Sequence, residues 1–333
     1  MESADLPGED RREFLRRLAG TGAVVLGTGL LGYGLYDPEG PGPTQGNPPE
    51  ESLTLPNYTM PEAGRRISIV YGEDRIRALQ TAVTALGGIE AFIKKGDRVL
   101  IKVNAAFAMP PVLGATTHPD LVRETARLCL QAGASYVAVT DNPINDPSSC
   151  FALTGIGEAV RSAGAQLILP REKLFSSATL PGGSLIRNWP LLYEPLRGVN
   201  KLIGITPVKD HHRSGASMVL KNWYGFLGGR RNVFHQNIHE LIKELALLIR
   251  PTLVVLDGTT TMMTNGPTGG SLSDLKRTHT LIAGTDPVAV DAFGATLLGR
   301  SPRDLPFLLK AEAAGAGTVD FESLQPLRTN LSG

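Results

Sequence analysis

Cysteine is scarce in this chain: its 333 residues hold two, Cys129 and Cys150. A four-cysteine iron–sulfur cluster or zinc ribbon is therefore excluded, and at most one disulfide could form. A surplus of one charge is also missing. Lys and Arg number 33 against 32 Asp and Glu, for a net charge of +1, which argues against a nucleic-acid binder. The G-x-S-x-G nucleophile elbow is absent, and the His235–His239 pair lacks the glutamate of H-E-x-x-H, with Gln236 in its place. With 42% hydrophobic and 20% charged residues the chain is not of disordered composition. Its length suffices for one large domain or two modest ones.

The first 64 residues read as something other than fold. Asp10-Arg11-Arg12-Glu13-Phe14-Leu15 precedes an uncharged, glycine-laced run from Leu18 to Tyr36. Two arginines, Phe-Leu and a weakly apolar segment resemble a twin-arginine export signal. No small-x-small site follows Tyr36, so 1–36 is expected to be a signal or an uncleaved anchor, with 18–36 as its apolar part. The implied partner is the twin-arginine translocation machinery. The implied location is the periplasm or the outer face of the cytoplasmic membrane. Gly27-Thr28-Gly29-Leu30-Leu31-Gly32 imitates a dinucleotide fingerprint but lacks the following helix, strand and acid that the motif requires. Residues 37–64 hold seven Pro, four Gly and five acids with no Lys or Arg. They read as an extended acidic tether.

From residue 65 the pattern alternates. Short β-rich runs at 66–71, 98–103, 136–140, 166–169, 201–205, 252–256 and 280–283 are separated by helical patterns at 74–94, 118–132, 152–164, 235–250, 287–298 and 302–314. Val99-Leu100-Ile101 and Leu253-Val254-Val255-Leu256 are apolar on both faces, as a covered parallel sheet requires. The expected fold is α/β: a mostly parallel sheet covered by helices on both faces, in a single large domain over 65–333. Residues 171–200 lack periodicity and read as an insertion. Cys129, in a helix rich in Leu and Val, reads as a core thiol.

In such sheets ligands bind beyond the carboxyl ends of the strands, so the candidate site residues are those that follow each strand. Lys102 sits within an apolar strand that exits into Asn104, and a buried Lys needs a partner or a task. The strand at 136–140 exits into Asp141-Asn142, and that at 201–205 through Pro207 into Lys209-Asp210-His211-His212. The strand at 252–256 exits into Asp257-Gly258. Asp286 before Pro287 reads as a helix cap. Between 209 and 235 the chain concentrates Lys209, Arg213, Lys221, Arg230 and Arg231 with three histidines, opposed only by Asp210, and interleaves Asn222, Trp223, Tyr224 and Gly225. This focus of positive charge suits a small anion: a carboxylate, a phosphate or an anionic cofactor. A solvated basic loop is the plainer alternative. His235 and His239 share a helix face and are read as packed or surface residues in preference to a metal pair.

Several of these segments together resemble a bacterial and archaeal family of unassigned reaction, the domain of unknown function numbered 362. They are Lys102-Val103-Asn104, Lys209-Asp210-His211, Leu220-Lys221-Asn222-Trp223-Tyr224-Gly225, Val255-Leu256-Asp257-Gly258 with Asn265-Gly266-Pro267, and Thr285-Asp286-Pro287-Val288-Ala289-Val290-Asp291. The resemblance covers roughly 65–300. Many members carry a ferredoxin-like cysteine segment, which this chain lacks. The resemblance implies one coherent domain and supplies no substrate.

The expected site thus has Lys102, Asn104, Lys209, Lys221, Asn222 and Arg230 holding an anion. His211 or His235 would move protons, and Asp257 would orient a histidine. A divalent metal held by Asp141, His211 and Asp257 is one option for a cofactor, which the sequence does not name. Two alternatives stand beside an enzyme: a non-catalytic binding or assembly factor, and a membrane-tethered subunit of a redox or envelope complex.

Overall fold

Alternation along the strands sets the architecture. Val99, Ile101 and Val103 enter one apolar core and Leu100 the other; Leu253 and Val255 divide from Val254 and Leu256 in the same way. A strand apolar on both faces must lie between two layers of cover. The computed structural model, which describes residues 11–34 and 53–331, supplies them. Its elements in chain order are α1 (Arg11–Gly34), β1 (Ile67–Tyr71), α2 (Arg75–Ala85), β2 (Arg98–Lys102), α3 (Pro119–Gln131), β3 (Tyr136–Thr140), α4 (Pro147–Leu153), α5 (Ile156–Ser162) and β4 (Gln166–Ile168). There follow β5 (Phe175–Ala178), β6 (Trp189–Leu192), β7 (Lys201–His211), β8 (Gly215–Ser217), α6 (Val219–Asn222), α7 (Ile238–Leu248), β9 (Leu253–Met262), β10 (Leu275–Gly284), α8 (Pro287–Leu297), α9 (Pro306–Ala313) and β11 (Leu327–Asn330).

The main sheet runs β11-β1-β10-β9-β7-β2-β3-β4, with β8 paired to β7. Pairs β11–β1 and β9–β7–β2–β3–β4 are parallel; β10 lies antiparallel between β1 and β9. One core packs residues of α2, α3 and α5 on one face, and the other packs α6 to α9. The expected α/β sheet covered on both sides is the fold.

Boundaries differ from the sequence reading for local reasons. Helix α2 stops at Ala85 instead of 94 because Gly87 and Gly88 both take positive φ. The helix expected at 152–164 is two, broken at Gly155 with φ 71°. Strands β7 and β9 run well past the expected ends. The chain at 209–211 is therefore strand and hairpin with β8, and Asp257-Gly258 lies inside β9, not in a loop after it. Residues 171–200 form their own antiparallel hairpin, β5–β6. Glu244 on α7 fastens it, accepting hydrogen bonds from the Ser184, Leu185 and Ile186 backbone N–H groups and the Ser184 hydroxyl.

Residues 53–64, expected as part of the tether, pack on the sheet domain. Leu53 bridges to Ala178, the Tyr58 N–H donates to the Arg250 carbonyl at 3.0 Å, and Leu55, Tyr58 and Ala63 are buried. The stretch 53–64 belongs to the folded unit because its few apolar residues find core; 37–52 lies outside the described residues. The false fingerprint, 27–32, is continuous helix inside α1. None of the described helices is long and apolar enough to cross a membrane. Cys129 and Cys150 are both buried and free, their thiols pushed by burial up to about 12 and about 11.

Candidate functional site

Beyond the carboxyl ends of β2, β3 and β7 lies a cavity of about 260 Å³. Asn104 and Phe107 line it after β2, and Asp141 and Asn142 after β3. Lys209, His211 and His212 come from the end of β7, Lys221 and Asn222 from α6, and Tyr224, Arg231 and His235 from the turns beyond. Pro267 and Thr268 close one side; Asp274 holds their loop by accepting from the Thr264 hydroxyl and the Asn265 amide.

Two buried lysines stand in contrast. Lys102, 0% exposed, is saturated: its Nζ meets Asp141 Oδ1 at 2.6 Å, the Val103 carbonyl at 2.6 Å and Asn222 Oδ1 at 3.2 Å. Burial pulls its pKa down and Asp141 opposes the shift. Gly225 permits this packing, since a Cβ there would overlap Asp141 Oδ1 and stand 2.6 Å from Lys102 Nζ. Lys209, 1% exposed, donates among the described residues only to the Ala115 carbonyl at 2.5 Å and lies 5.4 Å above the Phe107 ring. Burial, reinforced by Lys221, brings it to about 7. Lys221 lies 5.2 Å over the Tyr224 ring, and burial with the nearby Arg231 brings it to about 8.

Arg231 acts as a clasp. Its guanidinium donates to the carbonyls of Tyr224, Leu227, Asn142 and Pro143, tying the 224–231 turn to the loop after β3. The Tyr224 hydroxyl donates to the Arg231 carbonyl at 2.5 Å, and burial pushes its pKa up to about 12. Asp291, buried on α8, accepts from the Val219 and Leu220 N–H groups at 2.7 and 2.9 Å. It thereby holds the first turn of α6, two residues from Lys221 and Asn222.

The histidines have different jobs. His211 Nδ1 accepts from the Arg213 and Ser214 N–H groups, both at 3.2 Å. An acceptor Nδ1 places the proton on Nε2. Burial, with Lys221, His212, Lys209 and His235 around it, pulls His211 down to about 2. In this arrangement it is a neutral N–H donor. At His235, Nδ1 faces the Asn232 carbonyl at 3.1 Å, which can only accept, and the Tyr224 hydroxyl at 3.4 Å, whose proton goes to the Arg231 carbonyl, so Nδ1 carries the proton and Nε2 keeps its lone pair. Of the two expected proton carriers, His235 has the free basic nitrogen.

Of the residues expected from sequence, Asn104, Asp141, Lys209, His211, Lys221, Asn222 and His235 line this cavity, and Lys102 stands behind it on Asp141. Two do not. Arg230 is exposed and its neighbour Arg231 takes the place. Asp257 is absent from the lining: it accepts from Arg75 Nε at 2.8 Å and from the Thr259 hydroxyl at 2.6 Å. Leu253, Val255 and Asp257 alternate onto the face covered by α2 and α3, which takes Asp257 away from His211 and His235 and sets it beside His118. The proposed metal set is not assembled either. Among the described residues no group of three His, Cys, Asp or Glu could hold a metal. The oxygens of Asp141 are taken by Lys102, Ala105 N–H and Asn142 N–H. The His211 ring stacks nearly parallel on His212 at 5.0 Å and on His235 at 6.3 Å, so their in-plane lone pairs do not converge. His239 stacks instead on Phe307, away from this cavity.

Phe107 and the Ala115 carbonyl were not expected at the site, and Asp291 stood only in a family segment, without a role. The first two carry no signal in sequence. Asp291 carried one: it is an acid within an apolar helix.

A thylakoid-associated protein of Synechocystis sp. is 26% identical over 265 residues, 76% of this chain and 78% of its own length. The lactate racemase apoprotein from Thermoanaerobacterium thermosaccharolyticum aligns over 71% of this chain at 11% identity with a TM-score of 0.39. A Thermotoga maritima protein aligns over 70% at 10% identity with a TM-score of 0.37. The chain spans 58% and 59% of the lengths of those two structures. Residues 99–296 match the family model for the domain of unknown function DUF362; with more than half its length matched, the chain belongs to that family.

Proposed function

We propose that the protein binds a small anion in the cavity at the carboxyl ends of β2, β3 and β7. One observation carries this reading. Lys209 and Lys221 enter the cavity with no carboxylate paired to either among the described residues, while the one acid there, Asp141, is already committed to Lys102. Buried cations without counter-charge are costly, and an anionic ligand removes that cost. His211 Nε2–H and Asn222 complete a donor-rich lining, and His235 Nε2 is the group placed to accept a proton.

Inorganic phosphate is the first probe, titrated calorimetrically. Wild-type protein is expected to bind it, and Lys221→Met to weaken it by about tenfold or more, roughly 1.4 kcal/mol. Equal binding by both proteins, or none by wild type, would sink the reading. Binding should also weaken as pH rises from 7 to 9, because Lys209 and Lys221 lose their protons at about 7 and about 8.

A non-catalytic binding factor shares this site. Metabolite screens that give stoichiometric binding without product would favour it over an enzyme. We further propose export by the twin-arginine route, on the strength of Arg11-Arg12 ahead of the uncharged run to Tyr36. The thylakoid association in the name of the Synechocystis relative is compatible with work at a membrane surface. Fractionation of the producing cell, with the mass of the mature N-terminus, tests it: protein confined to the cytoplasm would reject export.

A further inference from the structure

We propose that Lys209 forms a reversible imine with a small anion bearing an aldehyde or ketone group, while Lys221 holds its anionic end. This rests on the cavity being an anion site and goes further, since it names the ligand's second functional group. Three observations support it. An ammonium has three protons to donate, and Lys102 shows how this protein satisfies them, with three oxygen acceptors. Lys209, equally buried, is given one among the described residues, the Ala115 carbonyl. That provision suits a neutral amine: one N–H donated to Ala115 and a lone pair left over. Second, Lys209 lies against the Phe107 ring with Lys221 as its cationic neighbour, the surroundings that keep an amine unprotonated near neutral pH. Third, His211 presents a fixed neutral N–H to the same cavity, a donor for a carbonyl oxygen that gains charge as the amine attacks.

The step balances without any further reactant. The Lys209 lone pair attacks the carbonyl carbon, and the C=O π pair moves to oxygen. The resulting hydroxyl then leaves as water, taking with it the two hydrogens lost by the amine, and C=N forms. Hydrolysis reverses it.

The test starts from the full-length wild-type chain, so its main readout does not depend on a variant folding. Protein is incubated at pH 7 with glyoxylate and cyanoborohydride, which fixes an imine as a carboxymethyl group, and peptides are mapped by mass. At pH 7 an amine with a pKa of about 7 is half neutral, roughly a thousandfold more than an exposed lysine. The expected result is preferential modification of Lys209 with a pH midpoint near 7, suppressed by excess inorganic phosphate. Any labelled N-terminal amine should be indifferent to phosphate. Lys209→Met should lose the phosphate-sensitive label. Label spread over exposed lysines without enrichment at Lys209 would overturn the imine. Phosphate binding measured on the same sample fails only if the anion site itself is wrong, so the two failures are told apart.

Discussion

At the scale of single residues, the Lys102–Asp141 pair decides whether the cavity can exist. Both side chains are buried, and Asp141 also accepts from the Ala105 and Asn142 N–H groups. It therefore ties the exits of β2 and β3 together. Removing only the acid strands a buried cation, which costs about 3–5 kcal/mol, whereas replacing a buried pair by neutral groups can be nearly harmless. Asp141→Asn is thus expected to lower stability by roughly that amount in a denaturant titration. Lys102→Met added to it should recover a substantial part. A double variant as unstable as the sum of the singles would mean that the pair is not coupled. Gly225→Ala should be at least as damaging as Asp141→Asn, because its methyl group would occupy the space of the pair.

At the scale of elements, α6 spans only Val219–Asn222 and is too short to stand alone. Its position comes from Asp291, whose two oxygens take the Val219 and Leu220 N–H groups. Asp291→Ala leaves two buried donors unsatisfied, a loss of about 2–4 kcal/mol. It should also weaken phosphate binding, since Lys221 and Asn222 ride on that turn. Intact phosphate affinity in a destabilised Asp291→Ala protein would separate the cap from the site.

The same elements show what sequence could and could not reveal. Lys102 was legible because a charge inside Val99–Val103 is conspicuous. Asn104, Asp141, Lys209 and His211 were legible because they follow apolar runs. Strand ends were not. Pro207 and then Asp257-Gly258 read as terminators, yet β7 accommodates Pro207 beside a register shift, and β9 continues because its ladder with β10 holds it. The odd-numbered parity of Leu253, Val255 and Asp257 already pointed Asp257 away from Leu256. Arg230 and Arg231 are indistinguishable in sequence; only the turn between Gly229 and Asn237 decides which one faces inward.

At the scale of the whole molecule, the cavity should govern how stability depends on pH. In the unfolded chain a lysine releases its proton near 10.5. In the folded chain Lys209, facing Lys221, Lys102 and Asp141, does so at about 7, and Lys221, facing Arg231, at about 8. Between pH 7 and 9 the unfolded state therefore binds more protons than the folded one. Stability must rise with pH across that window, by up to about 1.4 kcal/mol per pH unit for a fully buried group and less for the partly exposed Lys221. Asp291, held up at about 7 by burial, pulls the other way only between its ordinary 3.8 and 7, and the raised Cys129 and Cys150 thiols oppose the rise only towards pH 9, where unfolded thiols begin to ionise. A bound anion restores both lysine protons in the folded state. Phosphate should therefore stabilise most at pH 7, least at pH 9, and flatten the rise between them. Denaturant midpoints at pH 7, 8 and 9, with and without phosphate, measure this directly. A ligand-free stability that is flat or falling, or a phosphate effect that grows with pH, would mean that these lysines keep their protons in the empty cavity and that some other group supplies their counter-charge.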